Sequence, residues 1–409
     1  VGVWSSAVTT QAKAEESLRE LAALAETAGA VVCDGLLQHR SKPDAATYVG
    51  SGKAKEIADI VAREEADTII VDDDLPPSQR RALEDAAKVK VVDRTAVILD
   101  IFAQHATSRE GKAQVELAQL EYMLPRLRGW GGSLSRQAGG RAAGADAGIG
   151  SRGPGETKIE MDRRVIRTRI ARLRRQIREM APAREVKRGS RRRFGLPTVA
   201  VVGYTNAGKS SLTNRLTGSA ELVENALFAT LDTAVRRARA KDGRQYAYVD
   251  TVGFVRRLPT QLIEAFKSTL EEAAFADVIV KVADAGDAQA AEQLAVTDEV
   301  LGSLDCADIP QLVVYNKCDT ANTMAFDPDI LLTSAKTGYG LPALLAKLDE
   351  VLNHRVRTIE IVLPYDKLAL ADILRSRGSV AAEEYRENGV YYRGTVKIDD
   401  LHRFEEFLV

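Results

Sequence analysis

The sequence predicts a multidomain α/β protein, and three observations carry that expectation. The chain has 409 residues, too many for one ordinary core when domains run to roughly 100–200 residues. Its first 105 or so residues alternate short apolar stretches with amphipathic ones, the pattern of a small parallel sheet with crossover helices. From Pro197 an apolar stretch runs through a glycine-bounded loop into a helical pattern, which is the context of a phosphate loop. The expected organisation is a small parallel α/β domain (1–107), a helical hairpin arm with a glycine-rich loop at 129–155 and a basic linker (108–195), a phosphate-loop domain (196–353) and a small C-terminal α/β domain (354–409).

Composition narrows the function classes. With 45% hydrophobic and 28% charged residues and no run of about 18 uncharged apolar residues, an integral membrane protein is excluded. The chain opens at Val1 in strand-like sequence, so upstream residues are expected to be missing and a targeting signal there is left open. Cys33, Cys306 and Cys318 are widely separated, which suits a reducing cytosol and argues against a disulfide framework or zinc site. His39, His105, His354 and His402 are as scattered. Net charge is −1, but from Glu160 to Gly195 there are 14 Arg or Lys against 4 Asp or Glu, leaving −11 on the remainder.

In the first domain, "VGVW", "AVVCDGLLQ", "DTIIVDD" and "KVKVVD" read as strands. "EESLRELAALAETAG", "SGKAKEIADIVAREEA" and "PPSQRRALEDAA" read as helices. "GSGK" at 50–53 looks like half a phosphate loop, but it lacks the second glycine and the preceding strand, so a plain helix start is the better reading.

The arm follows. Leu117, Leu120, Leu124 and Leu127 form one helical stripe, and Ile159, Ile166, Ile170, Leu173, Ile177 and Met180 form another. Two stripes separated by ten glycines between Gly129 and Gly155 predict an antiparallel hairpin. Eight arginines crowd positions 163–178 with few acidic partners, a face that repels itself unless something neutralises it. A nucleic-acid contact is favoured over a merely solvated face, with Arg136, Arg141, Arg152, Arg163, Arg164, Arg167, Arg172 and Arg175 as candidates. "REVKRGSRRRFG" is expected to be a flexible basic linker.

"GYTNAGKS" matches G-x-x-x-x-G-K-S between a strand and a helix. Gly203, Tyr204, Thr205, Asn206, Ala207, Gly208, Lys209, Ser210 and Ser211 are therefore candidate phosphate contacts, with backbone N–H groups facing an anion at a helix N-terminus. Lys209 is expected on the β and γ phosphates and Ser210 on Mg²⁺. "QLVVYNKCD" ends a strand with Asn316, Lys317 and Asp319, and a carboxylate there accepts from both guanine N1–H and the exocyclic amine. "LLTSAKTG" supplies Ser334, Ala335 and Lys336 for the base. "AYVDTVGF" places Asp250 to hold a Mg²⁺ water and Thr251, Val252 and Gly253 beside the γ-phosphate. "LFATLDT" offers Phe228, Ala229 and Thr230, the last as a second metal hydroxyl. Five elements in this order resemble a P-loop GTPase. Phe254 stands where many such proteins carry the Gln that orients the attacking water, so no catalytic residue is assigned and slow intrinsic hydrolysis is expected. Asn206 is a candidate for holding K⁺, or serves as a loop cap.

"AQVELAQLEYMLPRLRGWGGSLSRQAGG", "GIGSRGPGETKIEMDRR", "GYTNAGKSSLTNRL", "LFATLDT" and "DTVGFVRRLPTQLIEAFKSTLEE" closely resemble the HflX family of GTPases, over nearly the whole chain. The resemblance implies a cytoplasmic, GTP-hydrolysing protein that binds the large ribosomal subunit and, with GTP bound, splits stalled or idle ribosomes under stress. Ribosomal RNA and the whole ribosome are then the partners, and a monomer is expected. "RAAGADA" (141–147) looks like an insertion relative to the family, and the gap from Asp319 to Ser334 looks short. The tail reads β-α-β-β-α, with "ENG" closing a hairpin.

Overall fold

The computed structural model describes residues 1–409 except 128–153, 194–195, 219–226, 229–233, 240–244, 258–261, 263–265, 305, 307, 322–329, 354–355 and 378. The chain forms two compact units, Val1–Glu179 with Arg257–Phe266, and Met180–Arg256 with Lys267–Val409.

The first unit opens with β1 (Gly2–Trp4), α1 (Gln11–Thr27), β2 (Leu37–His39), α2 (Ser51–Arg63), β3 (Thr68–Val71), α3 (Pro77–Ala87), β4 (Lys90–Asp93) and α4 (Arg94–His105). "GSGK" is the start of α2, as its sequence context suggested. Two expectations need correcting. The strand expected over "AVVCDGLLQ" is confined to Leu37–His39, the Asp34 carboxylate accepting from the Gly35 N–H and residues 31–35 being exposed. The sheet is two parallel pairs, β1–β2 and β3–β4, joined at Val1, whose amino group donates to Ile70 O and whose carbonyl accepts from Asp72 N–H. Tyr48, Ile57, Val71, Leu75 and Leu83 are in its core.

A polar network lies at the strand ends. Arg94 is only 3% exposed, and it donates to Asp72 Oδ1 at 2.8 Å and Glu20 Oε1 at 2.6 Å. Ser17 donates to the other Asp72 oxygen at 2.5 Å. Buried charges are tolerable only when so paired. Arg257 donates to Asp72 O and Asp73 Oδ1, and Phe266 meets the Phe102 ring edge-on.

The arm consists of α5 (Arg109–Arg126) and α6 (Pro154–Arg193). Ala113, Leu117, Leu120 and Leu124 pack with Ile166, Ile170, Leu173 and Ile177, so the middle of both predicted stripes forms a seam, while Leu127 and Met180 are not in that cluster and the Ile159 side chain is outside the described residues. Glu116 and Arg169, which pair at 2.6 and 2.7 Å, each precede a seam residue. Glu121 and Arg174, which pair at 2.8 Å, each follow one. The basic stretch expected to be a flexible linker is helical as far as Arg193. Arg and Lys are good helix formers, and a single Gly189 does not stop the run.

The second unit contains β5 (Thr198–Gly203), α7 (Lys209–Thr217), β6 (Ala234–Arg239), β7 (Gln245–Asp250), α8 (Lys267–Ala274), β8 (Val278–Asp284), α9 (Ala290–Gly302), β9 (Gln311–Asn316), β10 (Leu331–Leu332) and α10 (Leu341–Asn353). The sheet order is β10-β9-β8-β5-β7-β6, parallel except where β6 meets β7. Near-continuous Val, Ile and Ala runs in β5 and β8 suit strands covered on both faces, and Val199, Val201, Val280, Val314 and Leu344 lie in that core. The parallel strands bring Gly203, Asp250, Asp284 and Asn316 to one sheet edge, where doubly wound sheets bind ligands.

The C-terminal part is an antiparallel sheet of β11 (Val356–Leu363), β12 (Ser379–Arg386) and β13 (Gly389–Lys397), in the order β11-β13-β12, with α11 (Ala369–Arg377) over its core. Gly389 takes φ +145° in the hairpin, and a Cβ there would strike Leu363 O. The final helix expected over "DDLHRFEEFLV" is reduced to α12 (Ile398–Leu401) and a 3-10 turn at Glu405–Phe407. Among the described residues no helix is long and apolar enough to cross a membrane.

Replacing Arg94 by Ala leaves Asp72 and Glu20 buried without their cation. Stability should fall by about 3–5 kcal/mol, read as a lowered denaturant midpoint for the first unit, whereas Arg174→Ala on the exposed arm should cost less than about 1 kcal/mol.

Candidate nucleotide site

The loop between β5 and α7 is shaped by two glycines that have no room for a side chain. Gly203 has φ +146°, and a Cβ would run into Val282 O on β8. Gly208 caps α7 in the left-handed region at φ +88°, and its Cβ would strike the Asn316 amide. The loop is thus held against β8 and β9 while its N–H groups gather at a helix N-terminus, an anion site by geometry and dipole. Lys209 is buried, and its Nζ donates to Tyr204 O at 2.8 Å. Burial pushes its ammonium down to about 8, with the Asp250 carboxylate opposing the shift. Ser210 and Ser211 begin the same helix, and Asn206 is exposed at φ 59°.

Asp250 ends β7 fully buried, and the Thr251 hydroxyl donates to Val201 O at 2.9 Å. Gly253 lies against this corner: a Cβ there would be 2.9 Å from Lys209 Nζ and 2.7 Å from Thr205 Cγ2. The next residue, Phe254, forms a bridge with the phosphate loop. Its N–H donates to Gly203 O, and its carbonyl accepts from Thr205 N–H at 2.8 Å. Its ring is buried, so it offers no polar group for water. Val252 is also buried, as is Phe228, which has φ 58°. Ala229 and Thr230 lie outside the described residues.

At the other end, Asn316 is a strap. Its Nδ2 donates to Ala207 O at 3.1 Å, while its Oδ1 accepts from the Ala335 N–H at 3.1 Å and the Thr333 hydroxyl at 3.4 Å. It therefore ties the phosphate loop to the "TSAK" loop. Lys317, at φ 61°, donates to Asp284 Oδ2 at 2.8 Å. Asp319 accepts from the Ser334 hydroxyl at 2.6 Å, which lowers its carboxyl pKa, with the Lys336 and Lys317 charges adding to the effect. Asp284 and Thr333 were missed in the sequence reading. The signal for Asp284 was a second apolar strand ending in Asp, as β7 ends in Asp250.

Of the arm candidates, Arg164, Arg167, Arg172 and Arg175 are exposed and Arg163 is half-buried. Arg175 has a loose 3.8 Å pair with Glu179. Arg136, Arg141 and Arg152, with the 141–147 segment, fall outside the described residues. Among the described residues no three His, Cys, Asp or Glu side chains gather as a metal-holding group.

A parallel sheet with a glycine-pinned phosphate loop and an Asn-Lys-x-Asp base loop at its edge defines a P-loop GTPase. Family models agree along the chain: a GTP-binding GTPase N-terminal region at 15–103, a GTP-binding GTPase middle region at 105–191, and a 50S ribosome-binding GTPase domain at 198–317. Full-length similarity is to GTPase HflX of Caldanaerobacter subterraneus subsp. tengcongensis, 43% identical over 98% of this chain and 92% of that protein. It extends to the Lacrimispora saccharolytica protein, 45% identical over 94% and 90%, and to that of Escherichia coli K12, 40% identical over 93% and 89%. The chain belongs to the HflX family of GTPases, and its reaction is hydrolysis of GTP to GDP and phosphate.

Asn316→Ala strands a buried carbonyl and a buried N–H at once. It should cost about 1–3 kcal/mol in stability and, unlike the exposed Lys347→Ala outside the site, weaken nucleotide affinity with it, as titration with a fluorescent GDP would show.

Proposed function

We propose that this chain couples guanine-nucleotide binding to action on the ribosome: in the GTP state it binds the large subunit through RNA contacts and splits stalled or idle ribosomes, and hydrolysis releases it. One observation carries the reading. The arm separates its arginines into two sets, with Arg169 and Arg174 engaged by α5 glutamates and Arg164, Arg167 and Arg172 exposed as a basic face. Such a face, attached to a guanine-nucleotide site, suits the phosphate backbone of ribosomal RNA.

At the site, N–H groups of the 203–210 loop other than that of Thr205 cradle the phosphates, Lys209 neutralises β- and γ-oxygens, and Gly253 N–H meets the γ-phosphate. Asp319 reads guanine N1–H and the exocyclic amine, while Ala335 N–H and the Lys336 stem complete the base pocket. The Ser210 hydroxyl and the buried Asp250 carboxylate are hard oxygen donors at the phosphate end, a set that suits Mg²⁺ with phosphate oxygens and waters. Mg²⁺ bound there supplies charge neutralisation. Thr230 is the second hydroxyl proposed for it, and Asn206 is the group proposed to hold K⁺. Backbone groups that order around the γ-phosphate and relax after hydrolysis set the two states. The cytoplasm is the compartment where ribosomes and GTP meet.

The buried Phe254 favours a second reading, a GTP-gated RNA-binding or assembly module in which turnover is incidental. Sedimentation of ribosomes with the full chain separates the two. The splitting reading expects subunits released with GTP and with a non-hydrolysable analogue, the protein staying on the large subunit only with the analogue. Purified large subunits should also stimulate GTP hydrolysis, and no stimulation would sink that reading.

Lys209 gives a pH signature. Its free-state pKa is about 8, and bound phosphates hold the proton on, so nucleotide binding takes up a proton above that pH. Affinity for GDP should be flat below pH 7.5 and roughly fourfold weaker at pH 8.5 than at pH 7, read by fluorescent GDP titration.

A further inference from the structure

Two hydroxyls that flank the phosphate loop are engaged. Thr251 Oγ1 donates to Val201 O at 2.9 Å, and the Tyr204 hydroxyl accepts from the Arg256 N–H at 2.7 Å. Thr205 is 6% exposed, and its Oγ1 is buried with no hydrogen-bond partner among the described residues. A buried hydroxyl left without a hydrogen bond is costly, so it calls for a partner that arrives with the ligand.

The position of Thr205 says which partner. Its Cγ2 is 2.7 Å from where a Cβ on Gly253 would sit, and Lys209 Nζ is 2.9 Å from the same point. The Thr205 side chain, Gly253 and the lysine therefore converge on one corner. The Thr205 N–H is held by the Phe254 carbonyl at 2.8 Å. This fixes the threonine beside the backbone of residue 254, the position from which a Gln side chain orients water in other GTPases. Here that side chain is an apolar ring that is buried. The Thr205 methyl faces Gly253, and the unpartnered hydroxyl on the same Cβ is the polar group that the phosphate loop carries beside position 254.

We propose that Thr205 is a catalytic residue for GTP hydrolysis, its hydroxyl accepting a hydrogen bond from the attacking water and fixing it in line with the γ-phosphorus. The step balances without a base. The water oxygen forms a bond to the γ-phosphorus, the bond from that phosphorus to the β–γ bridging oxygen breaks, and the bridging electron pair stays on GDP. The water's proton passes to a γ-phosphoryl oxygen, giving inorganic phosphate. Thr205 orients and takes no proton. The inference rests on the phosphates lying in the 203–210 loop, as proposed above.

The test uses the full chain, with single-turnover hydrolysis of GTP and affinity for a fluorescent non-hydrolysable GTP analogue measured on each variant. Thr205→Val keeps the shape and removes the hydroxyl. It should slow the single turnover roughly 10- to 100-fold while affinity stays within about threefold, and Thr205→Ser should hold both within about threefold of the parent. A Thr205→Val rate within about twofold of the parent overturns the proposal. So does a fall in affinity that accounts for the whole loss, or a Thr205→Ser as slow as Thr205→Val, which would assign the effect to the methyl group. If Thr205→Val does not fold, Thr205→Ala against Thr205→Ser decides by the same two readings. Lys209→Ala tests the underlying site separately: if analogue affinity survives that change, the placement of the phosphates fails, whatever Thr205 does.

Discussion

In the proposed nucleotide site phosphate oxygens are met by backbone N–H groups, and backbone can close around an anion only where side chains are absent. That steric constraint organises the second unit. Gly203 lies against Val282 O and Gly208 against the Asn316 amide, so the phosphate loop is located by its neighbours on β8 and β9. Asn316, reaching both Ala207 O and Ala335 N–H, joins the phosphate end to the base end. The hydrophobic core beneath, with Val199, Val201 and Val280, keeps the strand ends level so that these short contacts hold.

The phosphate loop was legible in the sequence because its chemistry is contiguous. Gly203, Gly208 and Lys209 lie within seven positions, and the strand and helix around them have unambiguous periods. The seam was legible for a similar reason, since Leu117 and Leu120 match Ile170 and Leu173 in spacing. What escaped was non-local. Arg94 finds Glu20 from 74 positions away, and Asp284 meets Lys317 from 33. No local pattern announces such pairs. The strand expected from "AVVCDGLLQ" failed over its first part because residues 31–35 are exposed, with Asp34 and Gly35, both poor strand formers, inside the apolar run. The linker expected at "REVKRGSRRRFG" failed because charge density was read as disorder, whereas the same residues have good helix propensity.

Charge is partitioned by depth. In the first unit Arg94, Asp72 and Glu20 are mutually satisfied and withdrawn from water, a pairing that specifies geometry more than it adds stability. Lys209 is the opposite case: its ammonium is desolvated, its nearest acceptor is the Tyr204 carbonyl, and its affinity for a proton is diminished. A group in that condition gains most from an incoming anion, which is how binding energy is concentrated at the phosphate end.

The pairing across the arm has a consequence for how that limb responds to its medium. Arg169 and Arg174 each have a carboxylate on the opposing helix, and the apolar seam between them is indifferent to ionic strength. Arg164, Arg167 and Arg172 face solvent, where their attraction to a polyanion works by displacing its condensed counterions and fades steeply as salt is added. On the proposed RNA contact, the surrounding electrolyte therefore sets how firmly the arm grips, while the apolar seam beneath that face does not depend on it.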